Sequence, residues 1–297
     1  VGGYGGDFAG VLPSVRALND AAVVFSTVDT VGLPLVLLRR AGLVRRPIVY
    51  AAIGLPERLA QVRGGRTRGL YRSALCLADT IIAYSRYEAE ALREWLGDDS
   101  VPVEFVPFGV DTDWFRPDPD AVPDTDVVSI GADPHRDFRL LLEVASRRPR
   151  QRFRIVTTST ERQGLEPAPA NVELHADIAF REVRDQLAAA RVVALPVRAN
   201  SYSGATTVLL QAMAMGKPIV VSRTDAIADG YGLEHGANCL LVEAGNTGAF
   251  ERAVTELLDD ETSARSLGAA ARSTAVRLLS WDRYAADVLA LLCRVAG

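Results

Sequence analysis

The chain has 297 residues, of which 48% are hydrophobic and 24% charged, with a formal net charge of -4. That balance predicts a globular protein of one large or two ordinary domains and excludes an intrinsically disordered chain. The negative net charge gives no reason to expect nucleic acid as a partner, and no apolar run approaches the roughly eighteen residues needed to cross a bilayer.

Cys76, Cys239 and Cys293 are odd in number, far apart and set among apolar neighbours, and His135, His175 and His235 are equally scattered. Neither a disulfide framework nor a metal cluster fits that spacing, so no metal site is expected and a reducing, cytoplasmic setting is the default. The chain begins at Val1, and Gly2-Gly3-Tyr4-Gly5-Gly6 reads like the middle of a sequence. A GTG start translated literally or an N-terminal truncation would each explain it. Lys217 is the single lysine, so the positive charge is almost all arginine, a bias that a GC-rich genome produces by itself.

In chain order, Val23–Ser26, Pro47–Tyr50 and Thr80–Tyr84 are apolar runs without alternation, the pattern of strands buried on both faces of a parallel sheet. Helical patterns lie between and after them, near 31–42, 66–77 and 86–96. From Val103 to Pro119 the pattern pauses, and a stretch rich in proline and aspartate runs on to Asp126, which marks a linker. A second α/β series follows, with strands near 127–130, 153–158, 172–175, 192–195, 218–222 and 239–242. Its helices are expected near 137–147, 181–190, 206–215, 247–258 and 262–278, before a closing helix from Trp281 that Ser280 could cap.

The fold class is therefore α/β, with two Rossmann-like parallel-sheet domains. The expected boundaries are an N-terminal domain over 1–106, a hinge and linker over 107–126, a C-terminal domain over 127–279 and a closing helix over 280–297 packing back toward the N-terminal domain. The first domain is short for this architecture and reads as incomplete. Ligands in such folds bind beyond the C-terminal ends of the strands, in a cleft between the two sheets.

Ser201 to Ser222 reads as a small-residue loop, a helix starting near Thr206, a stop at Gly216 and a buried strand. Backbone amides of Gly204, Ala205, Thr206 and Thr207 at the helix start suit a diphosphate, although a plain loop–helix–strand unit reads the same way. This segment resembles the donor-binding motif of family-4 glycosyltransferases, retaining enzymes of the GT-B fold. Val106–Pro117, Arg191–Pro196, Gly236–Val242 with Gly245-Asn246, and Trp281 are similar to the family's hinge, motif-preceding strand, late glycine-rich loop and closing helix, in the family's order.

The resemblance implies a metal-independent enzyme without a cofactor, which moves a sugar from a nucleotide-diphosphate donor to an unknown acceptor with retention of configuration. Ser203 and Gln211 stand where the family carries two glutamates, one at the transferred sugar and one at the ribose hydroxyls. After the strand that ends at Gly131, the family has an arginine and then a lysine on the diphosphate. This chain has Ala132 and Arg136, and a guanidinium can bridge two phosphate oxygens. The alternative for Arg136 is a surface arginine at a helix start.

A family histidine near the transferred sugar is replaced by Ile53. Asp29, beyond the first strand with Ser26 and Thr27, is the acceptor-side catalytic candidate, against an ordinary helix cap. Nine arginines from Arg39 to Arg72 share their stretch with one acid, Glu57. They read either as a solvated basic face or as a contact with an anionic membrane, which would place the protein at the inner face and allow a lipid-linked acceptor. Rival readings are an epimerase or phosphorylase on the same fold, and a non-catalytic sugar-nucleotide-binding or partner protein, which the lost glutamates favour.

Overall fold

A computed structural model describes residues 6–97, 101–200 and 204–297. Among them, parallel strands form two sheets, each with helices in its crossovers. The first contains β1 (Val24–Ser26), β2 (Ile48–Ala52), β3 (Thr80–Ala83) and β4 (Val103–Phe105), in the order β1-β2-β3-β4. The second contains β5 (Thr125–Ile130), β6 (Phe153–Thr157), β7 (Val172–Ala176), β8 (Ala190–Leu195), β9 (Ile219–Arg223) and β10 (Leu240–Glu243). Its order is β10-β9-β8-β5-β6-β7. β2, β3 and β6 are buried at every position, which explains why their sequences show no alternation.

The strands fall where the apolar runs predict them. The helices between them show the 3.6-residue period: in Phe138–Arg147, Phe138, Leu140, Leu141, Val144 and Ala145 face the core, and the Asp137 side chain caps the start. Two details differ from expectation. Val103–Phe105 pairs with β3 as a fourth strand, so the irregular stretch starts later than its proline density suggests. Short helices at Leu55–Ala60, Ser159–Leu165 and Asp225–Ala228, and two more at Phe8–Val11 and Val15–Asp20, are not among the expected ones. The first of them follows Gly54, whose φ of +68° is open to glycine, and takes Pro56 in its first turn.

The chain divides into two compact units. One runs to Pro107 and includes Tyr284–Gly297, and the other holds Phe108–Asn200 and Gly204–Arg283. The first unit packs Leu35, Val36, Ile48, Tyr50, Leu55, Ile81 and Leu92 around its sheet. The hydroxyls of Tyr84 and Tyr284 meet at 2.8 Å, and Arg294 donates to Glu104 at 2.8 Å.

In the second unit, helix Thr206–Ala214 lies against helix Glu261–Leu278. The approach is close because Gly268 has no side chain: a Cβ there would stand 2.2 Å from the Gly216 carbonyl oxygen. Arg272 Nη1 reaches three carbonyl oxygens, Ala214 at 2.7 Å, Thr112 at 2.9 Å and Phe115 at 3.0 Å. Lys217 Nζ donates to Ala188 at 2.7 Å and Ala190 at 2.9 Å. Both cations are thus satisfied by backbone carbonyls, at helix ends, in the hinge segment and at the start of β8.

Because the obstacle at Gly268 is backbone, Gly268→Ala forces two helices apart. It should destabilise the second unit by about 1–3 kcal/mol, read as a lower urea midpoint. A variant as stable as the parent would show that the helices separate at little cost.

Candidate functional site

In the second sheet β5 lies between β6 and β8. The chain leaves β5 toward one edge and returns at β8 to build the other, so strand order reverses between them. Ligands of open α/β sheets bind beyond the carboxyl ends of the strands at such a point. β5 ends at Ile130 and continues as Gly131–Asp137, and β8 ends at Leu195 and continues as Pro196 and Val197. The two loops are fastened to each other: the Asp137 amide donates to Pro196 O at 2.9 Å and the Arg198 amide to His135 O at 2.8 Å.

The β8 loop leads into helix Thr206–Ala214. Ala205 precedes it in the left-handed region at φ +64° and, as an alanine, offers the first turn no side-chain acceptor of its own. A non-glycine residue held at positive φ is unusual and turns the loop sharply into the helix. Gly204 is buried, and a Cβ there would stand 2.8 Å from Asp133 Oδ2. Glycine is thus what allows the Asp133 carboxylate of the β5 loop to lie against the loop that opens the helix. Ser203 lies outside the described residues.

Arg136 differs from the open phosphate ligand expected of it. It is 3% exposed, with Nη1 donating to Ile130 O and Nη2 to Ser129 Oγ, each at 2.7 Å. The missing side chain of Gly131 makes the room, since a Cβ there would be 2.8 Å from Nη1. The Phe138 ring lies 5.2 Å from the guanidinium carbon, and Nε has no partner. Burial pushes this guanidinium down to about 10, and the nearby Asp133 carboxylate opposes the fall. Arg136 here braces the end of β5 from beneath.

A cavity of about 520 Å³ opens in the same unit, lined by Phe108, Gly109, Val110, Asp111, Trp114, Phe115, Phe180, Thr207, Gln211 and Trp281. Phe115 meets Phe180 edge to face at 5.9 Å and Phe108 meets Trp281 at 5.7 Å. Thr207 and Gln211, one helical turn apart, supply polar groups. Gln211 is 4% exposed and its Oε1 has no hydrogen-bond partner. That acceptor is shut off from solvent, so it marks a polar group that the packing of the cavity wall leaves unsatisfied. Thr207 and Gln211 are donor-side candidates of the sequence analysis, and Phe108, Trp114, Phe115 and Trp281 lie in its family-like segments, whereas Phe180 was not singled out. Phe180 opens its helix and is 65% exposed, which only the fold reveals.

Asp29 belongs to the first unit, at the start of helix Asp29–Arg40. It is 2% exposed, and its Oδ1 accepts from the Tyr50 hydroxyl at 2.7 Å and the Ile53 amide at 3.3 Å. Arg58 Nε stands 3.7 Å from Oδ2. Beside this, Glu88 Oε1 accepts from the Gly54 amide at 3.1 Å. Two buried carboxylates thus hold consecutive amides of the turn after β2, and Asp29 fixes that turn rather than standing open to solvent.

Desolvation raises Asp29 above its ordinary 3.8, against the lowering influence of Tyr50, Arg58 and Ile53. The folded state therefore holds this proton more tightly than the unfolded state. Its stabilising contribution is complete below 3.8 and is lost as pH rises through the raised value. Asp29→Asn, which keeps an acceptor for Tyr50, should melt near the parent temperature and remove this component of the pH dependence. Asp29→Ala orphans the Tyr50 hydroxyl and should cost about 1–3 kcal/mol in denaturant unfolding.

Residues 125–260 match the protein family described as Glycosyl transferases group 1. The chain is 29% identical over 209 residues to the MMP alpha-(1->4)-mannosyltransferase of Mycolicibacterium hassiacum, covering 65% of this chain and 49% of that protein. It is 28% identical over 240 residues to the GDP-mannose-dependent alpha-(1-6)-phosphatidylinositol monomannoside mannosyltransferase of Mycolicibacterium smegmatis, covering 72% of this chain and 62% of that protein. The chain thus spans about half to three-fifths of the length of these two relatives. Among solved structures, sucrose-phosphate synthase from Thermosynechococcus elongatus superposes with a TM-score of 0.82 at 21% identity, over 97% of this chain and 77% of that one.

Proposed function

With residues 125–260 a group 1 glycosyl transferase domain and the chain in the GT-B fold, we propose that the protein transfers a sugar from a nucleoside-diphosphate donor to an acceptor, with retention of anomeric configuration. The observation that carries this reading is the ligand-sized aromatic cavity beside the switch point, with Thr207 and Gln211 one turn apart on its wall. In this reading the base enters between the aromatic walls and a ribose hydroxyl donates to Gln211. The diphosphate lies over Gly131 and the amides from Gly204 to Thr207, where the helix dipole favours negative charge. Arg136 acts as a positioning residue for the Gly131 turn, and Asp29 does the same for the Ile53–Gly54 turn. Retention fits a front-face route, which asks for no protein nucleophile.

The two relatives are named mannosyltransferases, and one name specifies GDP-mannose. Mannose is accordingly the first sugar to test. Gln211→Ala should weaken GDP or UDP binding about tenfold, the effect of one hydrogen bond to a buried acceptor, measured by calorimetry. Unchanged affinity would remove the cavity from the donor site. Turnover is tested with the full chain, GDP-mannose and UDP-hexoses, following release of free nucleotide with and without a membrane lipid extract as acceptor.

A lipid-linked acceptor is suggested by the phosphatidylinositol monomannoside in one relative's name and by the arginines of the first unit. Several of these are engaged within the protein: Arg39 pairs with Asp79, Arg58 with Asp29, Arg46 and Arg72 donate to backbone carbonyls, and Arg68 lies over Trp95. Arg40, Arg45, Arg63 and Arg66 are exposed, as are Leu43 and Leu70. No described helix is long and apolar enough to cross a membrane, so the proposed contact is peripheral, at the inner face. The double variant Arg63→Glu/Arg66→Glu should lose co-sedimentation with anionic vesicles at moderate salt. Equal binding by parent and variant would place the contact elsewhere.

A second reading, a sugar-nucleotide-binding protein without transfer, is favoured by the enclosed guanidinium of Arg136. Nucleotide binding without release of sugar or nucleotide from any donor would support it.

A further inference from the structure

Resting on the donor reading above, we infer that Arg198, at the rim of the switch point on the loop after β8, is the side chain that meets the donor's diphosphate, in the role that the inward turn of Arg136 leaves open. The loops after β5 and β8 run side by side as a short antiparallel pair in which Arg136 stands opposite Val197. Two backbone bonds flank that pair, from the Asp137 amide to Pro196 O and from the Arg198 amide to His135 O. Arg136 and Val197 are buried, at 3% and 0% exposure, and Arg136 reaches from there to the end of β5. Successive side chains of an extended segment alternate, so Arg198 is directed to the open side of the loop pair. It is exposed, while its backbone is held twice, by its amide on His135 O and by Asn200 Nδ2 donating to its carbonyl oxygen at 2.6 Å.

The guanidinium of Arg198 lies along the other loop. Nη1 donates to Pro134 O at 3.3 Å, which uses one of the five N–H donors of an arginine. Among the described residues the side chain makes no further hydrogen bond and faces no carboxylate within ion-pair distance. Other cations of this unit are already engaged. Arg136, Lys217 and Arg272 donate to backbone carbonyls, Arg184 lies over the Trp114 ring at 5.2 Å, and Arg223, which ends β9, stands 3.6 Å from Glu243.

Charge at the opening gives such a residue a purpose. The Asp133 carboxylate takes the His135 amide at 2.7 Å and lies against Gly204, so one negative charge is already in place. A diphosphate brings more, and like charges this close repel. Arg198 sits beside Pro134, the residue after Asp133, and offsets the carboxylate and the phosphates together. Its planar fork matches two phosphate oxygens, which a point charge would not do. The contact expected of the β5 loop thus comes from the loop paired with it.

Calorimetry of the full chain with GDP and with UDP, at low and at high ionic strength, tests this. The parent should lose affinity as salt rises. Arg198→Gln should bind about ten- to a hundredfold more weakly at low salt, the effect of losing hydrogen bonds to a charged group, and should respond less to salt. Arg198→Lys keeps the charge without the fork, so it should recover part of the affinity and the parent's salt response. Unchanged affinity in Arg198→Gln overturns the inference and leaves the donor reading standing. So does a loss that keeps the parent's full salt response, or one that Arg198→Lys does not reduce, because the side chain would then shape the loop without meeting the phosphates. If the parent binds neither nucleotide, the donor reading and this inference fall together.

Discussion

The parallel pairing of β5 with β8, which sets Val127 beside Val192, is the constraint on which the second unit depends. Both strands are buried along most of their length, so each must be covered on two faces, and crossover helices supply that cover. Once the two are neighbours, the loops at their carboxyl ends have to share one opening. Glycine at 131 and 204 allows them to do so, by admitting the Arg136 side chain in one case and the Asp133 carboxylate in the other. The sharp entry at Ala205 and the placement of Thr207 and Gln211 follow from that shared opening.

A second theme is where the positive charges of this unit go. Arg136, Arg272 and Lys217 each place their cationic atoms on backbone carbonyls. A buried cation satisfied by carbonyls stabilises loops and helix ends, but it is withdrawn from any ligand. The switch point is consequently built from backbone amides and one carboxylate, with its arginine underneath. That differs from the expectation of a guanidinium gripping phosphate.

Sheet architecture was legible because a strand buried on both faces has a plain signature, as in Ile48–Ala52 and Phe153–Thr157. The helix start at Thr206 was legible for the same kind of local reason. The inward turn of Arg136 was not, because it depends on a missing side chain at Gly131 and an acceptor on Ser129, neither of which a linear pattern ranks. Nor was the cavity, whose lining comes from the Phe108–Phe115 segment, Phe180, Gln211 and Trp281, residues brought together only by the fold. Asp29 was found at a strand end, but its pairing with Tyr50 needed β1 and β2 side by side.

Lys217, the chain's single lysine, is held on two carbonyls, and burial brings it down to about 8. Every other strongly basic side chain is a guanidinium, which stays protonated at any pH a cell reaches. The positive charge that the side chains present outward is therefore almost entirely guanidinium. Amine-directed acylation, which neutralises lysine-rich surfaces, has almost nothing to act on here. Whatever attraction the exposed arginines exert on anions can be tuned by salt, but scarcely by proton concentration or by lysine acetylation.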